Sequence, residues 1–168
     1  MAQYLIGSLT GERWYLYPEI AWLPVGEALG DALRDLRTER GVLSVFEVAD
    51  DASKAHVERI VVAIAAKGKD EPVDLAYRLF DPRDVAAPEI PVDAKERGET
   101  GADDINDAHR NLVQLSAEKL GRLANIIAHG KRGEVLSKTF EKILRREVGA
   151  ERLKLRGING NLREHLQL

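Results

Sequence analysis

The stretch DINDAHRNLVQLSAEKLGRLANIIAHGKRGEVLSKTFEKILRREV, residues 104–148, decides how the chain is divided. In its first part Leu112, Leu115, Leu120, Leu123, Ile126 and Ile127 recur at spacings that place them on one stripe of an α-helix. Ser116 and Lys119 fall on the same stripe. Asp103 or Asp104 can cap such a helix, and Asp107 in its first turn is favoured by the helix dipole. Gly130 can end it. A second helix over about 134–148 follows after a short break, and helices joined so closely lie against each other.

The sign of the charge changes here. The 168 residues carry a formal net charge of −3. Residues 1–106 hold 12 Lys+Arg against 21 Asp+Glu, a net −9, and residues 107–168 hold 13 against 7, a net +6. A split of this kind points to a polyanionic partner for the basic part, or to docking of the basic part on the acidic one. On the second predicted helix Lys138, Lys142, Arg145 and Arg146 fall together, opposite Leu136, Phe140, Ile143 and Leu144. Glu141 and Glu147 are read as interrupting that positive field. Lys131, Arg132, Arg152, Lys154 and Arg156 extend it on either side.

Upstream, QYLIGS (3–8) and RWYLY (13–17) read as strands around a turn at Thr10-Gly11. Tyr4, Trp14, Tyr15, Tyr17 and Trp22 cluster there, either filling a core or forming a stacking platform. A helix is expected over about 26–40, stopped by Gly41. VLSVFEV (42–48) reads as a central strand, 53–67 as a helix ended by Gly68, and VDLAYRLF (73–80) as a strand. The strand–helix–strand–helix–strand order predicts crossover connections and partly parallel pairing. Residues 82–103 are rich in proline and charge, and read as a connector, either strapped across the fold or mobile.

The fold class expected is therefore α/β or α+β. A small mixed sheet with packed helices (1–81) is followed by the connector (82–103) and by a basic helical part (104–168). The composition, with 44% hydrophobic and 32% charged residues, is that of a globular chain. No run is apolar enough to cross a bilayer, and the first residues lack the pattern of a signal peptide. The absence of cysteine excludes thiol chemistry and cysteine-bound zinc, and fits a cytoplasmic location.

The four histidines, His56, His109, His129 and His165, show no HExxH or HxH spacing, so no metal is expected. Neither GxxxxGK[ST] nor GxGxxG occurs, and no serine sits in GxSxG. No cofactor is expected. Arg122 and His129 form an Arg-x6-His spacing, which resembles the Arg-x4–6-His motif of HEPN-type ribonucleases. Two residues carry the resemblance, and Leu123 stands where a polar residue usually follows the arginine. It implies a ribonuclease in which the pair contacts and protonates RNA phosphate groups.

Three functions follow. The first is a non-enzymatic accessory protein that binds nucleic acid through Lys131, Arg132, Lys138, Lys142, Arg145, Arg146, Arg152, Lys154 and Arg156. The second is a protein-interaction or immunity-type module whose acidic N-terminal part masks a basic partner. The third is the HEPN-like ribonuclease.

Overall fold

The computed structural model describes residues 2–14, 16, 26–86 and 88–168. Among these residues six strands form one sheet: β1 (Ala2–Leu9), β2 (Leu43–Ala49), β3 (Leu75–Phe80), β4 (Val92–Asp93), β5 (His109–Leu112) and β6 (Lys131–Val135). Their spatial order is β4-β5-β2-β1-β3-β6, and every pairing is antiparallel. The expected parallel neighbours are absent because β1 lies between β2 and β3. The helix α1 (Lys54–Ala66) still makes the crossover from β2 to β3, which run the same way, but it does so across the intervening β1.

Local sequence explains the central elements. On β2, Val45 is buried on one face of the sheet, while Phe46 and Val48 bury on the other. Every residue of β3 is buried, including Arg78. That guanidinium is accommodated by donating to the carbonyl oxygens of Trp14 at 2.6 Å and Gly130 at 3.3 Å. Ser53 caps α1 by accepting from the His56 N–H at 3.2 Å, and Val57, Ile60 and Val61 form its buried stripe.

Two apolar layers flank the sheet. One packs α1, α4 (Ser137–Gly149) and α5 (Gly160–Leu166) against Leu5, Phe46, Val48, Tyr77 and Leu79. The other packs α3 (Ala117–His129) and the short 3-10 helix Gly30–Asp35 against Tyr4, Ile6, Val45 and Phe80. No helix among the described residues is long and apolar enough to cross a membrane.

Several expectations need correction. The single long helix from 104 is three elements: the one-turn α2 (Asp103–Asn106), strand β5, and α3. Leu112 leaves the helical stripe to pair with Leu43 on β2. Gln114 takes a φ of 58°, and Ser116 then caps α3 by accepting from the Lys119 N–H. Residues 131–135, where the sequence predicts a break and a helix start, form edge strand β6 on β3. The helix over 26–40 shrinks to Gly30–Asp35, with Leu29 extended before it. Gly41 ends no helix; its φ of 74° and the 52° of Arg40 make the tight turn that brings Glu39 beside Val42.

The strand expected at 13–17 is replaced, where described, by a 3-10 helix Gly11–Trp14. Trp14 and Tyr4 are core residues, so neither serves a stacking platform; Tyr15, Tyr17 and Trp22 lie outside the described residues. Asp35 ties this corner together. Its carboxylate accepts from the Thr10 N–H at 2.7 Å, Arg13 at 2.5 Å and the Trp14 indole at 2.9 Å.

Residues 82–103 are strapped across the fold. Val85 and Ile90 are buried, β4 pairs with β5, and Asn106 accepts from the Thr100 N–H at 2.8 Å. At its end the strap passes so close to the C-terminal segment that a Cβ on Gly157 would stand 2.2 Å from the Gly101 Cα. All three stretches, 1–81, 82–103 and 104–168, thus contribute strands to one sheet.

Candidate nucleic-acid interface

Helix α4 carries the centre of the basic group. Its first turn is capped from outside: the Ser137 N–H donates to the Asp74 carboxylate at 2.7 Å. Phe140, Ile143, Leu144 and Glu147 are buried at i, i+3, i+4 and i+7. Lys138, Lys142, Arg145 and Arg146 are exposed on the other side. At 1.5 Å rise per residue they span about 12 Å of helix.

All nine cations of the sequence-based group are exposed. Five meet carboxylates: Arg132 meets Glu134, Arg145 meets Glu141 at 2.8 Å, Arg146 and Arg152 meet Glu147, and Lys154 meets Asp103. Only Asp103 lies outside residues 104–168, so the basic part largely supplies its own counter-charges. Lys131, Lys138, Lys142 and Arg156 form no ion pair with any described residue. Pairs such as Arg145–Glu141, both about half exposed, hold their charges loosely.

Glu147 does not belong to the outward field. It is 2% exposed. It accepts from Arg152 Nε at 2.8 Å, Arg59 Nε at 2.7 Å and Arg146 Nε at 3.0 Å. These hydrogen bonds, Arg152 first, outweigh burial and hold its carboxyl down to about 2. Arg59 also meets Asp104 at 2.6 Å and holds that carboxyl below the usual carboxylate range. The cluster ties α1, α2 and α4 together. Its sequence signal is a glutamate on the apolar stripe of Phe140, Ile143 and Leu144.

Arg122 and His129 share one face of α3 and line a shallow depression of about 570 Å3 with Arg83 and Asn125. Arg122 meets Glu118 at 2.7 Å, and His129 Nδ1 lies 2.8 Å from the Asn125 carbonyl oxygen. Among the described residues no three histidine or acidic side chains gather as a metal cluster. Compared with known protein families, curated proteins and solved structures, the chain has no significant match.

Proposed function

We propose that the protein binds nucleic acid through the outward stripe of α4, as a non-enzymatic accessory component of a larger assembly. The observation that carries this reading is the pair Lys138 and Lys142, exposed, one helical turn apart and without an ion pair to any described residue. Arg145 and Arg146 lengthen the stripe. Unpaired surface cations in a row favour phosphate contact, because each neutralised phosphate releases condensed counterions. Four such contacts give duplex binding a salt slope of roughly −3.6.

The test is fluorescence anisotropy with duplex DNA and single-stranded RNA across a salt series. The Lys138→Glu/Lys142→Glu variant should abolish salt-sensitive binding while keeping the fold. Arg146 is left alone because it also holds Glu147. Unchanged binding by the variant would overturn the reading. Recovery of a protein partner from nuclease-treated lysate would favour the acidic N-terminal surface as the working one.

A second reading has its own observation, the joint placement of Arg122 and His129 in one depression with Arg83 and Asn125. In that reading the pair contacts and protonates an RNA phosphate. Comparing RNA cleavage by the wild type and His129→Ala decides it, and equal cleavage removes it.

A further inference from the structure

The face of the sheet that carries α1, α4 and α5 is unevenly covered. Helix α1 packs over β1 and reaches β6, and α4 packs beside it. At the β2–β5 end the same face carries the cross-strand pairs Phe46–His109 and Ser44–Asn111. Ser44 is exposed there, in a strand otherwise chosen for burial. These residues floor a cleft of about 620 Å3, walled by the 37–40 turn, the end of α1 and strap residues 96–100. A second depression of about 230 Å3 shares Arg37, Ser44 and Ile64 with it and reaches Ser8, where β1 bulges.

The floor is a hydrogen-bonded relay. Ser44 Oγ donates to Asn111 Oδ1 at 3.2 Å, and Asn111 Nδ2 donates to Glu96 Oε2 at 2.9 Å. His109 Nδ1 lies 2.9 Å from the Glu96 carbonyl oxygen. A carbonyl only accepts, so Nδ1 donates there and the neutral ring keeps an acceptor at Nε2. Of the cations in the walls, Lys67 is taken by Glu99 at 2.6 Å and Arg97 by Asp107 at 2.6 Å. Arg37 and Arg40 are exposed and have no ion pair among the described residues. Arg40 is held at a φ of 52° and Ser8 at 62°, conformations that cost free energy and gather at ligand sites.

We propose that this cleft binds a small polar molecule of about mononucleotide size. Its oxyanion group, phosphate or carboxylate, pairs with Arg37 and Arg40, and its donor groups face Glu39 and Glu96. The volume is that of an ordinary small-ligand site. Two guanidinium groups with no ion pair among the described residues match an oxyanion in charge and fork geometry. The reading is independent of the α4 stripe, which shares none of these residues.

The test follows the ring resonances of His109 by NMR during titration with adenosine 5′-monophosphate, citrate and adenosine. The first two distinguish phosphate from carboxylate, and uncharged adenosine tests the need for an anion. Movement of the His109 signals with either anion, with His56 and His165 still, supports the site. Binding should weaken about tenfold or more in Arg37→Gln/Arg40→Gly and persist in Arg163→Gln. Arg40→Gly alone keeps the positive-φ turn while removing the guanidinium, and it serves if the double variant fails to fold. Three results would overturn the proposal: signals unmoved by both anions at millimolar concentration, affinity unchanged in the arginine variants, or adenosine binding as well as its monophosphate.

Discussion

The two sides of α4 use the same residue types for opposite ends. On the inner side Glu147 collects three guanidinium groups at 2.7 to 3.0 Å and is 2% exposed. On the outer side Lys138 and Lys142 face water with no ion pair to the described residues, and Arg145 shares an exposed pair with Glu141. The inner charges cannot be released without leaving a buried ion uncompensated. The outer ones lose little when a partner displaces them. What separates structure from candidate function on this helix is burial, not sequence composition.

The contrast can be broken in steps of decreasing size. Phe140→Ala removes the largest ring of the inner side, which is fully buried, and should cost about 4 kcal/mol in urea denaturation. Glu147→Ala should follow at about 3 kcal/mol, because Arg59 then loses its buried partner. A loss as small as that of an exposed pair would show the cluster to be peripheral.

Acid titration sharpens the same point. The folded carboxyl of Glu147 is held down to about 2, against an ordinary glutamate value of 4.5. Its stabilisation is therefore complete above pH 4.5 and drains away as pH falls towards 2. In Glu147→Gln, stability followed by circular dichroism should fall less steeply over that window. At the small end, Arg145→Gln should cost only about 0.4 kcal/mol, the worth of an exposed i,i+4 pair. It should also reduce the salt slope of nucleic-acid binding by about one phosphate contact.

Elements built on local pattern were legible in the sequence. The strand at 42–48, the helix at 53–67, the strand at 73–80 and the second C-terminal helix correspond to Leu43–Ala49, Lys54–Ala66, Leu75–Phe80 and Ser137–Gly149. In the two helices an apolar period agrees with the burial found, and in Leu75–Phe80 a nearly continuous apolar run does. What escaped was fixed by distant partners. HRNL at 109–112 has no strand alternation and becomes β5 because β2 offers it an edge. KRGEV at 131–135 is charged because it is itself an edge, where charge guards against unwanted pairing.

The site divides the same way. The outward placement of Lys138, Lys142, Arg145 and Arg146 could be read from helical spacing, but the capture of Arg59 by Glu147 could not, since it depends on how α4 meets α1. The cleft over Ser44 and Asn111 left only a faint trace: polar residues inside strands that are otherwise buried.

The order of strands has a consequence for synthesis. Among the described residues β1, β2 and β3 are the first strands to leave the ribosome, and they lie side by side in the sheet. β5 then adds to the open edge of β2 and β6 to that of β3, while β4, made before β5, pairs once β5 is in place. Nascent chain can therefore build from the centre outward, and no paired ladder has to reopen to admit a latecomer.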